Sequence, residues 1–298
     1  MIGIIDIGTN TILYLKASLD GREPVIMSDN RIHHRSGPRL DEHGKISGEY
    51  KAGLRIALLQ ALANLADCSE IKIVATEVLR RPLDGAEFAR QLSVEIGWPI
   101  EIIDHKREAE LSYAGAFRSM AAGENKLAVI DIGGGSTELA LGAEDRLKTW
   151  SGIRLGAVAI CEAIGYEKNY REYAQLARGE FDRSDFARLL EDQSGEVLAV
   201  GGSAVGIGAL LKKQTAFVPR DIQGVVIARD ELGELLERLS EMSLEQRIEA
   251  MAFDPQRSDI IVSGGAILWA FLELFEIEAI RVSTYGLRHG LLWELFGH

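Results

Sequence analysis

Along the chain, short apolar runs alternate with longer stretches whose apolar residues recur at helical spacing. Gly3–Ile7 and Ile12–Leu19 are two apolar runs parted by Gly8-Thr9-Asn10-Thr11, which predicts a hairpin. A basic segment follows, with Arg31, Arg35, Arg39, His33, His34 and His43, and it contains the turn-forming sequences Ser36–Leu40 and Asp41–Lys45. Ser47–Ala66 places Leu54, Ala57, Leu58, Ala61, Leu62 and Leu65 on one helical face. Ile71–Thr76 reads as a short buried strand, Leu83–Ile96 as a helix stopped by Gly97 and Pro99, Ile100–Asp104 as a strand and Arg107–Met120 as a helix.

The second half repeats this outline. Leu127–Gly142 is again two apolar runs around a glycine-rich turn. Further sheet reaches Arg154-Leu155-Gly156, and helices are expected through residues 157–192. Val197–Ser203 is a strand ending in Gly-Gly-Ser, and Glu231–Phe253 is a long helical stretch. Asp259–Phe271 is expected to be a strand that turns at Gly264-Gly265 into a helix; Ala279–Val282 is the last strand and Arg288–Phe296 a terminal helix. The small, polar sequence Ala121–Asn125 is the expected boundary, giving domains 1–121 and 122–298, with the terminal helix packing back on the first. An α/β fold of two duplicated domains with an interdomain cleft is the expectation.

Composition narrows the picture. The chain has 298 residues, 47% hydrophobic and 26% charged, a globular profile long enough for two cores. Its formal net charge of −12 argues against nucleic acid as a partner. The longest uncharged runs, Val197–Leu211 and Ile260–Leu272, are too short to span a bilayer, so no membrane partner is expected. Met1 leads straight into a strand pattern without a signal peptide. The two cysteines, Cys68 and Cys161, have neither disulfide-framework nor metal spacing, and a cytoplasmic setting is the simplest reading.

The strongest chemical signal is Asp131-Ile132-Gly133-Gly134-Gly135-Ser136-Thr137-Glu138. Three glycines exceed what a plain hairpin turn needs, and they let a ligand approach bare backbone amides. Amides suit phosphate oxygens, and the carboxylates on either shoulder suit a hard divalent cation. Asp6-Ile7-Gly8-Thr9-Asn10-Thr11 repeats the design, with Asp6 as a further metal ligand and Thr9, Asn10 and Thr11 as phosphate donors. Gly201-Gly202-Ser203 and Ser263-Gly264-Gly265-Ala266 are read as helix-opening anion sites, against the plainer reading of close packing at a glycine corner. On composition alone Lys106–Glu110 is a solvated helix end, Arg80-Arg81 are surface charges, and His33-His34-Arg35 is as well a solvated loop as a polyphosphate contact. No zinc spacing, Gly-x-Ser-x-Gly elbow or Walker sequence is present.

Taken together, DIGTNT and DIGGGSTE with ATEVLR (Ala75–Arg80), REAEL (Arg107–Leu111), RLG (Arg154–Gly156), VGGS and GLRHGLL (Gly286–Leu292) resemble the exopolyphosphatase/guanosine pentaphosphate phosphohydrolase family, Ppx/GppA. The resemblance runs from Gly3 to about Leu295. It implies duplicated ribonuclease-H-like domains of the actin/Hsp70/sugar-kinase superfamily, with the active site between them. It implies release of terminal phosphate from inorganic polyphosphate or pppGpp with Mg²⁺ or Mn²⁺. By the same resemblance Glu108 is the catalytic glutamate, Arg80 the motif arginine, and Asp131 and Glu138 the acids of the second hairpin, read as metal ligands together with Asp6. The family's phosphate loops fall on Gly8–Thr11 and Gly133–Ser136, and the reading of the residues adds Thr137, Gly202 and Ser203 to the expected phosphate contacts.

Three departures are visible. The first turn carries Thr-Asn-Thr where many members have Ser-Asn-Ser; Arg107 stands where a second acid is common; and the chain stops at His298, like short two-domain members. Two rival readings remain: a small-molecule kinase of the same superfamily, and a non-catalytic polyphosphate or (p)ppGpp sensor. A homodimer stays open as the assembly.

Overall fold

The fold was analysed in a computed structural model that describes residues 1–19, 21, 23–35, 39–119, 126–191 and 195–297. Residues 36–38 of the expected turn Ser36–Leu40, and the expected boundary at Ala121–Asn125, lie outside the described residues. The chain divides into two compact units, 1–111 with 287–298, and 112–286.

The first unit opens with β1 (Ile2–Ile7), β2 (Thr11–Ser18) and β3 (Val25–His33), paired antiparallel in that order. Then come helix α1 (Gly48–Asn64), β4 (Glu70–Ala75), a short α2 (Glu77–Arg80), α3 (Gly85–Ile96), β5 (Ile100–Ile102) and α4 (His105–Arg118). The sheet order is β3-β2-β1-β4-β5, with β4 parallel to β1 and β5 parallel to β4. β1 is apolar almost throughout because both its faces are covered. Ile5 and Ile7 pack with Leu54, Leu58 and Leu92, whereas Ile2 and Ile4 pack with Ile103 and Leu111. With a period of two, Asp6 shares the face of Ile2 and Ile4. β3 is not legible in the sequence: as an edge strand facing water it carries Ser28, Asp29, Asn30 and Arg31, and its polarity reads as loop.

The second unit repeats the order. β6 (Leu127–Ile132), β7 (Thr137–Ala143) and β8 (Arg146–Ile153) form the antiparallel part. After α5 (Ala157–Ile164), α6 (Tyr170–Asp182) and α7 (Phe186–Leu190), β9 (Glu196–Val200) lies parallel to β6. Then come α8 (Gly202–Leu211), α9 (Pro219–Ile222), β10 (Val226–Ala228), α10 (Arg229–Glu241), α11 (Leu244–Ala250), α12 (Ile261–Leu274) and β11 (Ala279–Val282). The sheet order is β10-β11-β9-β6-β7-β8, so the second sheet is the first plus an antiparallel edge strand. Two copies of the ribonuclease-H-like β-sheet with helices on its faces confirm the expected α/β duplication.

One expected strand is absent. Ile260–Val262 enters helix α12 directly, and Gly264 and Gly265 lie inside that helix rather than at its start. A fully buried helix is apolar on all sides, so a short apolar run carries no periodicity to separate it from a strand. The two glycines serve packing, since a side chain at Gly264 would collide with Ser203 and one at Gly265 with Leu236. The expected anion site there is withdrawn.

The terminal helix α13 (Leu287–Phe296) belongs to the first unit, where Leu287, Leu291 and Leu292 join Ile2, Ile4 and Leu15. It is pinned to β3 by a two-pronged pair: Arg288 Nε and Nη2 donate to the two Asp29 oxygens at 2.7 and 2.8 Å, and His289 Nε2 lies 3.2 Å from Asp29 Oδ2. Burial alone would raise the Asp29 carboxyl, but the Arg288 charge and the hydrogen bonds from His289 and Arg288 hold it well below the usual carboxylate range. Burial also pushes His289 down to about 4. Among the described residues no helix is long and apolar enough to cross a membrane.

A carboxyl depressed in the folded state adds stability above its unfolded value of about 3.9, and that stability drains away as the pH falls below it. Asp29→Asn should therefore lower the melting temperature at pH 7 and flatten its decline below about pH 4. Parallel acid melting curves for the two proteins would disprove the latch.

Candidate active site

The two hairpins close through connections of equal length. Ile7 pairs with Ile12 and Ile132 with Thr137, leaving Gly8–Thr11 and Gly133–Ser136 as the turns. Each turn is closed by the same bond: the Gly8 N–H donates to Thr11 O at 3.1 Å, and the Gly133 N–H to Ser136 O at 3.0 Å. Residue by residue, Gly8 matches Gly133, Thr9 matches Gly134, Asn10 matches Gly135 and Thr11 matches Ser136.

In the second turn the carbonyls face a helix. Ala157 N–H donates to Gly133 O at 2.9 Å, and the Val158 and Ala159 N–H groups donate to Gly134 O at 2.8 and 3.0 Å. Those donors are the first amides of α5, which have no partner within their own helix. Gly156 permits the contact, because a Cβ there would sit 2.6 Å from Gly133 O. A trans peptide sets its N–H opposite its C=O, so carbonyls turned toward α5 leave the Gly134 and Gly135 amides facing the other way. Amides so turned are the arrangement from which anion-binding concavities are built.

The acids of this hairpin are cross-strand partners. Asp131 on β6 sits opposite Glu138 on β7, so both carboxylates lie on one face. Ser112 Oγ donates to Asp131 Oδ2 at 2.5 Å. Like charges directly opposite one another destabilise a sheet. A pair of carboxylates with a neighbouring hydroxyl is an all-oxygen donor set, and it fits a hard divalent cation. The first hairpin differs here, since Leu13 stands opposite Asp6.

Thr137, expected to bind phosphate, is fully buried and donates to Leu155 O at 2.6 Å. Gly202 and Ser203 open α8 directly after β9, as the pattern indicated. Between them and the strand, Gly201 has φ +91°, and a side chain there would press on Ile132 O and Asp131 Oδ1 at 2.6 and 2.9 Å. The guanidinium of Arg257 covers Gly202 and pairs with Asp254 at 3.4 Å. Ser203 is buried against Gly264.

In the first unit Arg80 and Glu108 meet. Glu108 lies in the first turn of α4, whose N-terminus is capped by Asp104 Oδ1 accepting from Arg107 N–H at 2.8 Å. Arg80 Nη1 donates to Glu108 Oε2 at 3.0 Å and to Ile103 O at 2.8 Å, Nε donates to Glu77 Oε2 at 3.1 Å, and Nη2 lies 3.1 Å from His105 Nδ1. Glu77 and Glu108 are buried, and Arg80 gives both carboxylates a paired charge. On composition these residues look solvated; the fold encloses them. Composition and spacing do not reveal Glu77, His105, Ser112 or Arg257, whose partners are remote in sequence.

The sequence profile of the Ppx/GppA phosphatase family matches residues 17–298. The chain belongs to the Ppx/GppA phosphatase family. A Haemophilus influenzae relative that carries a provisional exopolyphosphatase name is 27% identical over 99% of this chain and 91% of its own. A guanosine-5'-triphosphate,3'-diphosphate pyrophosphatase from Vibrio parahaemolyticus is 27% identical over 98% of this chain, which spans 58% of the Vibrio protein's length. Among solved structures, an exopolyphosphatase from Cytophaga hutchinsonii has a TM-score of 0.86 at 19% identity, covering 99% of this chain and 97% of its own. The Aquifex aeolicus Ppx/GppA enzyme has a TM-score of 0.79 at 22% identity, covering 98% of each chain. These likenesses establish the fold, and membership of the Ppx/GppA family assigns the chain phosphohydrolase chemistry in general.

Removing one partner of a buried ion pair costs about 3–5 kcal/mol. Arg80→Ala should therefore lower unfolding stability by roughly that amount in urea titrations. Arg80→Lys, which keeps the charge but loses the planar fork, should fall between it and the wild type. Wild-type stability in Arg80→Ala would show that the two carboxylates do not depend on it.

Proposed function

We propose that this chain hydrolyses a terminal phosphoanhydride with a divalent cation, Mg²⁺ or Mn²⁺, releasing orthophosphate from inorganic polyphosphate, from pppGpp, or from both. The observation that carries the reading is the matched pair of turns, each with its first two carbonyls held by donors, which sets the next two amides on the opposite side. The names of the relatives supply the substrate class.

Phosphoryl transfer needs little covalent work from a protein, so positioning and charge offset dominate. In the proposed division of labour, the amides of Gly8–Thr11 and Gly133–Ser136 hold phosphate oxygens, each charge-assisted bond contributing about 1.5–3 kcal/mol. Asp131 and Glu138, with Asp6, would hold the cation, whose charge offsets that of the phosphate oxygens. Glu108 orients the attacking water and accepts its proton, while the shorter chain departs. Arg80 keeps the Glu108 carboxylate aimed, through the 3.0 Å bond to its Oε2. This amends the simpler expectation for Arg80, because its donors already serve Glu77 and Glu108.

The deciding experiment incubates purified protein with Mg²⁺ and, separately, polyphosphate, pppGpp and ATP, and follows phosphate release. Release from polyphosphate or pppGpp without any acceptor is expected; ATP consumption that requires an acceptor would make the chain a kinase, and tight (p)ppGpp binding without turnover a sensor. Glu108→Gln keeps an acceptor for Arg80 and should fold normally, yet lose at least about a hundredfold in turnover. Turnover near wild type in that variant removes Glu108 from the role.

A further inference from the structure

We infer that His34 and Tyr50 are positioning residues that aim the amides of the first turn at bound phosphate, doing with side chains what α5 does for the second turn. The inference rests on the phosphate-binding reading of that turn.

His34 Nε2 lies 2.9 Å from Gly8 O. A carbonyl only accepts, so Nε2 carries the proton and donates. The Tyr50 hydroxyl donates to the next carbonyl, Thr9 O. These two oxygens match Gly133 O and Gly134 O, the pair held by the α5 amides. Gly8 O shares a peptide group with Thr9 N–H, and Thr9 O shares one with Asn10 N–H. Holding both oxygens from behind therefore turns both N–H groups to the opposite side. Among the described residues neither N–H donates to a protein acceptor.

Both donors are themselves fixed. Tyr50 is fully buried on α1 and His34 is 4% exposed just after β3; their rings meet edge to face, with centroids 5.3 Å apart. Burial pushes the imidazole down to about 4, which keeps it a neutral ring with one proton, the one given to Gly8. His33 adds to the frame, its Nδ1 lying 3.2 Å from Asn10 Nδ2. A duplicated turn whose carbonyls are held by unrelated donors in its two copies indicates that the holding itself is required.

The test uses the full chain, inorganic phosphate as probe, amide NMR as readout and kcat/KM on polyphosphate as a second measurement. Orthophosphate should shift the Thr9 and Asn10 amide signals of the wild type. Tyr50→Phe, which removes only a hydroxyl, and His34→Leu should each weaken phosphate binding at those amides about tenfold. His34→Gln retains an N–H donor and should stay within about threefold of wild type. If the pair were merely structural, Tyr50→Phe and His34→Leu would melt earlier yet bind phosphate as the wild type does, and that result overturns the inference. So would Thr9 and Asn10 signals that do not move with phosphate in the wild type, a measurement that stands even if His34→Leu does not fold. A wild type that binds phosphate at these amides but releases none from polyphosphate would overturn the hydrolase reading alone and support the positioning role.

Discussion

The structure depends on how the backbone carbonyls of two tight turns are satisfied. A peptide group cannot show its C=O and its N–H to the same side. To offer a row of amides to an anion, a turn must bury its carbonyls against donors, and buried carbonyls without donors are costly. The second turn uses the start of α5, whose first N–H groups need acceptors in any case. The first turn instead uses a histidine just after β3 and a tyrosine from α1. The same constraint explains Gly156, which lets the turn rest on the helix, and the burial of His34 and Tyr50.

Acids are arranged by the same economy of geometry. The period of a strand places Asp6 and Asp131 one residue before the last paired position, each on the face opposite its unit's main helical packing for that strand. Only the second copy adds a partner, Glu138, directly across the ladder. The duplication is thus unequal: one hairpin carries a carboxylate pair suited to a hard cation, and the other a single carboxylate. Arg80 plays the complementary part in the first unit, where its guanidinium pairs with both Glu77 and Glu108.

Much of the fold was legible in residue order. Both hairpins, α1, α3, β4, β9 and α13 follow from apolar spacing and from glycine and proline punctuation. The errors have physical causes. β3 is not legible because an edge strand can be polar, and Ile260–Val262 reads as a strand because a buried helix need not be amphipathic. α2, four residues long, has no room for a period. In the site, the acids and glycines stand out because they are adjacent in sequence. His34, Tyr50, Glu77, His105 and Arg257 do not, because each is an ordinary residue whose meaning comes from a neighbour many positions away.

By itself the sequence determined the duplication, the two turns and the carboxylates beside them, since these rest on local properties: hydrophobic period, the freedom of glycine and the charge of a side chain. Only the tertiary structure decided which donors stand behind each turn, that Arg80 is an internal counter-charge, and that Gly264-Gly265 is a packing contact. Those outcomes depend on burial and on long-range approach, and no local pattern encodes the distance between a carbonyl at Gly8 and an imidazole at His34.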